Sequence, residues 1–239
     1  MSSPPAADDR AAPRDPLSRD RVVAAAIAVL DAEGFGALSM RRVARELDTG
    51  AMSLYRHIAD RDELLDLVLE ELAAEVVIPE ATGYWREDIA AIARAVRGAL
   101  LRRRDLTLLL TARLGRGRAA LPVLDRTIGV FLRAGFSARD AVHANHALGN
   151  YVSGAAMWEA VGLDGEVEPS RRAARAAESA ARLAELPAGT VPNLVAVAGE
   201  LFAGSGDERF EYGLAVLIDG FAARLAKAHE PAPPGHGAA

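Results

Sequence analysis

The chain has 239 residues, enough for one or two domains around a sizeable buried core. Although 51% of the residues are hydrophobic, no apolar run approaches the roughly 20 residues that span a bilayer, so we expect no membrane segment. The formal net charge of −5 excludes a protein that is basic all over, but one face can still be positive enough to bind DNA.

The chain opens with residues 1–16, which are rich in Pro, Ala, Asp and Arg and are predicted to form a disordered arm. This stretch lacks the apolar core of a secretory signal. Ser18 is typical of a helix N-cap, and apolar residues then recur at helical spacing until Gly34, which predicts the first helix and its end. Ser39 predicts the start of a second helix in the same way.

A turn and two more helices follow. Residues 48–50 predict the turn, and a third helix is predicted from about Ala51 to His57. Asp60 with Glu63 three residues later has the spacing of a capping box, which predicts a longer helix that reaches 77. Two short helices joined by a tight turn are typical of a helix-turn-helix unit, in which one helix is braced and the next enters the major groove.

The rest of the chain is predicted to be helical, with Pro and Gly between the segments. The predicted helices cover 84–104, 119–134, 137–161, 171–186, 193–202 and 207–227, with a short apolar segment at 106–114 and a disordered tail at 229–239. No segment alternates with the period of a strand, so the predicted class is all-α. The predicted domains are a three-helix DNA-binding domain over 17–62 and a helical bundle for ligand binding and dimerisation over 63–228.

Three sequence blocks, in this order, resemble the TetR family of transcriptional regulators. They are L-S-M-R-R-V-A-R-E-L at 38–47, S-L-Y-R-H at 53–57 and D-E-L-L at 62–65, and the resemblance covers residues 17–65 closely. More loosely, residues 135–154 and 210–221 resemble the tetracycline-repressor branch of that family. The resemblance implies a DNA-binding regulator that responds to a small molecule.

The helix-turn-helix block contains the residues predicted to contact DNA, namely Arg41, Ala51, Met52, Ser53, Tyr55, Arg56, His57 and Arg61. The planar fork of Arg41 can bind guanine or a phosphate. Ala51 and Met52 offer only apolar contacts, suited to thymine methyl groups, whereas the polar groups from Tyr55 onward would contact phosphates. Because the tetracycline repressor has a glutamine in place of Ala51, we expect a different operator. The alternative is an ordinary solvated helix face.

The resemblance also implies a homodimer in which the helices at 137–161 and 207–227 pack against their symmetry mates, placing two recognition helices about one DNA turn apart. An apolar stripe on the last helix is consistent with this dimer, and it consists of Phe210, Leu214, Leu217, Ile218 and Phe221. Core within a single chain is the alternative explanation of the stripe.

An effector pocket in the C-terminal bundle is implied as well. Position by position, its lining candidates are Val77, Ile92, Val96, Arg113, Leu124, Thr127, Val142, Asn145 and Trp158. Arg113 and Trp158 stand where the tetracycline repressor has a magnesium-ligating histidine and a nearby glutamate, and neither supplies a suitable donor. We therefore expect a more apolar effector, aromatic or anionic, with Trp158 stacking on it and Arg113 or Asn145 orienting it. The alternative is that each residue is ordinary core.

Other patterns carry little chemistry. His143 and His146 lie three residues apart, but no carboxylate at helical spacing completes a metal site. Together with Asn150, they face either the pocket or the dimer interface. The absence of cysteine excludes disulfides and thiolate metal sites and fits a cytoplasmic protein. No nucleotide-binding or nucleophile motif is present, so we expect no cofactor and no enzyme activity.

The sequence therefore predicts a ligand-responsive regulator, a repressor by family default, that binds palindromic operator DNA as a homodimer. A small, largely apolar effector would release it from the DNA. The alternatives are an activator, a DNA-binding protein without an effector, and an all-α enzyme.

Overall fold

The described residues form α-helices joined by turns and short 3₁₀ segments, and none of them forms a β-strand, which confirms the all-α class. The computed structural model describes residues 16–114, 118–161, 169–187, 189–201 and 203–229, except for the side chains of 112–114, 169–173 and 175. The predicted arm and tail lie outside these residues, apart from Pro16 and His229. The chain divides after Val68 into an N-terminal and a C-terminal unit.

The N-terminal unit is built from helices with clear local start and stop signals. They are α1 (Arg19–Glu33), α2 (Met40–Glu46), α3 (Ala51–Leu54) and the first part of α4 (Arg61–Ala74). The Ser18 side chain accepts a hydrogen bond from the Arg21 N–H, and Ser39 accepts one from the Arg42 N–H, so both predicted caps are confirmed. Gly34 ends α1 at φ +78°, a conformation that favours glycine.

The core of the N-terminal unit lies between its four helices. Its most buried side chains belong to all four helices and to the segments between them, and they include Val22, Val29, Leu38, Val43, Leu54, Ile58, Leu64 and Val68. Because Leu54 and Ile58 are almost completely buried, they anchor the segment that follows the α2–α3 turn. Their neighbours Met52, Tyr55 and Arg56 are thereby held at the surface.

Three predicted helix boundaries differ from the structure. The third helix ends at Leu54, and the predicted continuation to His57 is a turn in which the His57 N–H donates to the Leu54 carbonyl at 2.8 Å. The fourth helix ends at Ala74 because Glu75 and Val76 make only the tighter bonds of a 3₁₀ turn. The segment predicted as one helix over 193–202 is two short helices.

The C-terminal unit contains the remaining helices. They are α5 (Trp85–Arg102), α6 (Thr107–Leu114), α7 (Leu121–Arg133), α8 (Ala138–Ala160), α9 (Pro169–Ala184), α10 (Pro192–Ala196), α11 (Ala198–Leu201) and α12 (Gly206–Ala228). α5 and α8 pack against each other, and both also contact α6, α7 and α12, whereas α9, α10 and α11 pack together. The two long helices therefore form the centre of the unit.

An aromatic cluster joins α5, α7 and α12. Phe131 of α7 lies at its centre, with ring centroids 6.4 Å from Trp85, 5.2 Å from Phe136 and 5.3 Å from Phe221. Tilted and edge-on ring arrangements of this kind are favourable beyond the area that they bury. The cluster fills one end of the bundle with apolar side chains.

The apolar stripe on α12 is core of the single chain. Phe210, Leu214, Ile218 and Phe221 are each less than 8% exposed against the chain's own helices, so the interpretation of the stripe as a dimer surface is wrong for these four residues; the fifth, Leu217, is partly exposed. A different set of α12 side chains is exposed, including Tyr212 and Val216. In the described part of the chain, no helix is long and apolar enough to span a membrane.

Candidate DNA-binding face and ligand cavity

The predicted DNA-contacting residues lie on the surface around α3. Met52 is 78% exposed and Tyr55 is 47% exposed, and Arg41, Arg56 and Arg61 are exposed as well. Ala51, Ser53 and His57 are partly buried. Since Leu54 holds this turn to the core, its neighbours on both sides present side chains and backbone to the solvent. The face therefore combines apolar groups with hydrogen-bond donors, as contact with bases and phosphates requires.

The arginines of α2 differ in their surroundings. Arg42 donates from Nε to Glu33 at 2.8 Å and from Nη1 to Glu46 at 2.9 Å, and these bonds raise the pKa of Arg42. The same hydrogen bond from Arg42 lowers the pKa of the Glu33 carboxyl. Arg41, by contrast, is exposed and forms no ion pair within the described residues. Arg41 is therefore the better placed of the two to bind an added anion or a base edge.

Arg61 has a structural contact in addition to its predicted role. Its Nε donates to the Leu38 carbonyl oxygen at 3.1 Å, and its guanidinium lies 5.4 Å from the Phe35 ring centroid. Asp60 caps α4 by accepting from the Glu63 N–H at 2.8 Å, as predicted, but the Glu63 carboxylate accepts from the Ala59 N–H instead of closing the box on Asp60. The phosphate contact of Arg61 stays a prediction.

The C-terminal unit contains a cavity of about 400 Å³ between α5, α6, α7 and α8. Its α5 and α7 walls are mostly apolar and include Ile92, Ala93, Val96, Leu121, Val123 and Leu124. The α8 wall carries polar side chains one helical turn apart, namely Asn145 with His146, then Asn150 and Ser153. A volume of this size lies within the range of small-molecule sites.

The structure brings together five of the nine predicted effector residues. Ile92, Val96, Leu124, Thr127 and Asn145 line the cavity. Val77, Val142 and Trp158 do not line it and are 83%, 41% and 58% exposed on the single chain. The side chain of Arg113 lies outside the described residues. The stacking role predicted for Trp158 therefore has no support from this cavity.

Several lining residues were not among the predicted set, notably Thr111, His146, Asn150 and Ser153. His146 and Asn150 line the cavity and are also exposed to solvent, whereas His143 is exposed and does not line it. The available signal was the row of polar residues on an otherwise apolar α8. Thr111 carried no such signal because nothing in the neighbouring sequence distinguishes it from Thr107, which does not line the cavity.

Away from the cavity, α5, α8 and α12 are joined by a cluster of ion pairs. Arg97 of α5 donates from Nε and Nη2 to the two Glu159 carboxylate oxygens at 2.7 and 2.8 Å, and from Nη2 to Asp207 at 2.6 Å. Burial opposes the charge of Arg97, but these hydrogen bonds outweigh it and raise its pKa. Glu159 is only 6% exposed, so the pair is a buried structural link.

Metal binding has no support in the described residues, where no three His, Asp or Glu side chains are grouped to hold an ion. The neutral polar wall of the cavity and its apolar opposite walls suit an organic molecule.

Comparison with known proteins agrees with this geometry. Residues 22–68 match the family described as bacterial regulatory proteins, tetR family, and residues 79–225 match the tetracyclin repressor-like C-terminal domain. The chain belongs to the TetR family of transcriptional regulators. The matched ranges contain the α2–α3 face and the cavity, respectively.

Individual TetR-family relatives match along most of the chain. An HTH-type transcriptional regulator of Saccharopolyspora erythraea is 35% identical over 87% of this chain and 85% of its own length. The HTH-type transcriptional repressor DrrR1 of Streptomyces coeruleorubidus is 31% identical over 90% of this chain and 81% of its own. Apo ActR of Streptomyces coelicolor superposes with a TM-score of 0.74 at 37% identity, covering 89% and 98% of the two chains. ActR has also been crystallised with actinorhodin.

Proposed function

We propose that this TetR-family regulator is a homodimeric repressor that binds a palindromic operator through the α2–α3 face and is released by a small, largely apolar ligand in the cavity. The observation that carries the proposal is the presence, in one chain, of an exposed recognition face and a partly open cavity of about 400 Å³. The repressor assignment is supported by the name of the relative DrrR1.

Arg41 and the start of α3 are the proposed reading elements. Arg41 is exposed, and Met52 extends into solvent one residue after the α3 start, where base edges meet a recognition helix. Tyr55, Arg56 and His57 lie in the following turn and are proposed to contact phosphates, together with Arg61. Contacts of this second kind set affinity and register for every sequence alike.

Dimerisation is proposed through the exposed sides of α8 and α12. Both helices carry large apolar side chains that are more than half exposed on the single chain, namely Trp158 on α8 and Tyr212 and Val216 on α12. Apolar side chains of this size at the surface favour burial against a partner. A two-fold dimer would also match a palindromic operator, because each half-site would meet one α2–α3 face.

The ligand is proposed to weaken operator binding by stabilising a conformation that does not fit the DNA. A ligand can shift such an equilibrium only through its different affinities for the two states. The apolar α5 and α7 walls favour a ligand with a flat or bulky apolar body. Crystallisation of the relative ActR with actinorhodin supports a small-molecule ligand.

Footprinting of the full-length protein on the DNA upstream of its own gene tests this function. We expect protection of one palindromic site, and titration with actinorhodin as a probe should release the protein from it. Absence of any protected palindrome at moderate salt would contradict an autoregulatory repressor.

Two substitutions separate base reading from phosphate contact. Arg41→Ala should weaken operator binding about tenfold or more and relax the preference at one base pair, whereas Tyr55→Phe should weaken all DNA sequences by a similar, smaller factor. Arg133→Ala removes the same charge from an exposed site on α7 and serves as the control. Measurement is by electrophoretic mobility shift on the operator and on single-base variants of it. Wild-type affinity in both test variants would contradict the proposed face.

A further inference from the structure

The threonine hydroxyls of α6 and α7 differ in their hydrogen bonding. The Thr107 hydroxyl donates to the Leu100 carbonyl at 2.9 Å, and the Thr127 hydroxyl donates to the Val123 carbonyl at 2.7 Å. The Thr111 hydroxyl oxygen is also buried, but it has no hydrogen-bond partner within the described residues. Among the side chains that the structure describes, it is the one buried nitrogen or oxygen atom without a partner.

An unpaired buried hydroxyl destabilises a protein, because the group loses its hydrogen bonds to water and gains none in return. Folded proteins therefore satisfy nearly all such groups, and an exception needs a reason. Thr111 lies one helical turn after Thr107 on α6, yet unlike Thr107 it lines the cavity. Its position at the wall of the cavity places it where a bound ligand can supply the missing partner.

The hydroxyl can reach the cavity without breaking any bond to the protein. Thr111 as a residue is partly accessible, although its oxygen is not, so its accessible surface belongs to other atoms. An exchange of rotamer about the Cα–Cβ bond carries the hydroxyl to the place of the methyl group, while the methyl group takes the place of the Cβ hydrogen, and threonine in a helix commonly populates two rotamers. Since the present rotamer makes no hydrogen bond, the exchange sacrifices none.

The rest of the cavity defines the chemistry of the partner. The polar groups on α8 are two amides, a hydroxyl and an imidazole, contributed by Asn145, Asn150, Ser153 and His146. No Lys, Arg, Asp or Glu side chain among the described residues lines the cavity. The described walls therefore offer a carboxylate or ammonium group no fixed opposite charge. Neutral oxygen groups match the available donors and acceptors.

We propose that Thr111 is a ligand-recognition residue whose hydroxyl binds a neutral hydroxyl or carbonyl oxygen on an otherwise apolar ligand. The inference rests on the proposed ligand-binding function and adds to it the chemical class of the ligand and the residue that selects it. Thr111 selects for oxygen because an apolar ligand leaves its hydroxyl unpaired, whereas an oxygenated one satisfies it.

A pair of probes that differ in one hydroxyl tests this directly. Full-length protein is titrated with 2-naphthol and with naphthalene, and the two dissociation constants are compared. For the wild type we expect 2-naphthol to bind about fivefold more tightly, the factor for one neutral hydrogen bond. Thr111→Val, which keeps the shape, should remove this preference, and Thr111→Ser, which keeps the hydroxyl, should retain it.

Thr107→Val is the matched control on the same helix. It removes a hydroxyl that is already paired and does not line the cavity, so the preference for 2-naphthol should stay as in the wild type. The ligand-free proteins should also differ in stability with opposite signs. Thr111→Val should raise the melting temperature by about 2–4 °C, because it removes an unpaired polar atom, whereas Thr107→Val should lower it.

The outcomes separate the inference from the function on which it rests. If neither probe binds the wild type, the ligand site of the proposed function is contradicted. If both probes bind equally, or if Thr111→Val keeps the preference, the ligand site stands and the role of Thr111 is contradicted. A lower melting temperature for Thr111→Val would show that its hydroxyl has a partner in the folded protein.

Discussion

In the C-terminal unit, the two sides of the α5–α8 pair differ in how closely their side chains pack. On α5, Val96 lines the cavity while the next residue, Arg97, is bound to a buried carboxylate. On α8, Ser153 lines the cavity while Glu159, less than two turns later, completes that ion pair. The two helices thus have a cavity side, facing α6 and α7, and a packed side, facing α12.

The packed side is dense around Phe210. The Tyr151 ring stacks on Phe210 with centroids 5.6 Å apart, its hydroxyl donates to the Phe210 carbonyl at 2.7 Å, and Arg97 lies 4.5 Å from the same phenyl ring. The cavity side, in contrast, leaves about 400 Å³ unfilled and one hydroxyl unpaired. Dense packing stabilises folds and empty apolar space destabilises them. We infer that the packed side supplies the stability that permits a cavity beside it.

Breaking the buried ion pair should have the largest effect on stability. Glu159→Ala should lower the free energy of unfolding by about 3 kcal/mol, because Asp207 is then the one anionic partner of the largely buried Arg97 among the described residues. Chemical denaturation at a fixed protein concentration measures this change.

A control on the cavity side sharpens that test. Ser153→Ala, on the same helix, should change the free energy of unfolding by less than about 0.5 kcal/mol. The double variant Arg97→Met, Glu159→Leu should recover much of the loss, since it removes both charges together. Equal effects of Glu159→Ala and Ser153→Ala would remove the proposed distinction between the two sides.

A methyl group added on the packed side should have an intermediate effect. In Gly213→Ala the new Cβ would collide with the Tyr151 hydroxyl and lie 2.7 Å from its Cε2, so we expect a loss of about 1–3 kcal/mol. Gly98→Ala on α5 meets no atom within 4 Å and should instead stabilise the protein by about 0.5–1 kcal/mol through helix propensity. Thermal unfolding of both variants measures the difference, and the same sign for both would show that Tyr151 is not tightly held.

The smallest expected effect is at the exposed rim of the packed side. Arg94 donates two hydrogen bonds to Glu211, at 2.7 and 2.6 Å, and they lower the pKa of the Glu211 carboxyl. A carboxyl whose pKa is lower in the folded than in the unfolded state stabilises the fold above the unfolded value, about 4.3, and this contribution disappears as the pH falls through the folded value.

Glu211→Gln should therefore destabilise the protein at pH 7 by less than about 1 kcal/mol, because both partners are near half exposure and screened by solvent. Below about pH 4 the variant and the wild type should converge in denaturation curves measured across pH. A difference that persists unchanged at pH 3 would assign the effect to packing instead of charge.

Features that depend on residues close together in the sequence could be predicted from the sequence. Ser18, Ser39 and Asp60 were predicted as caps because a cap depends on a side chain and the backbone within three residues of it. The α2–α3 face was predictable for the same reason, since its exposed residues surround one buried anchor, Leu54. The turn after Leu54 is close to a helix locally, since both the His57 and the Ile58 N–H donate to the Leu54 carbonyl, and it was predicted as helix.

Features that depend on contacts between helices far apart in the sequence could not be predicted from the sequence. The apolar stripe of α12 is equally suited to a dimer and to a core, and only the positions of α5 and α8 assign Phe210 and Leu214 to the core while leaving Tyr212 exposed. Likewise, Asn145 and Trp158 both lie on α8. Asn145 lines the cavity beside α5 and α7, whereas Trp158 is exposed, and only the positions of the neighbouring helices decide this difference.

The amino-acid sequence alone determined the all-α class, the recognition helix and membership of the TetR family, because helix periodicity, caps and motif spacing are properties of adjacent residues. Only the tertiary structure determined the cavity, because its walls come from four helices and its volume depends on how closely their side chains pack. The unpaired hydroxyl of Thr111 belongs to that second group. Its chemical state is set by neighbours that no local pattern specifies.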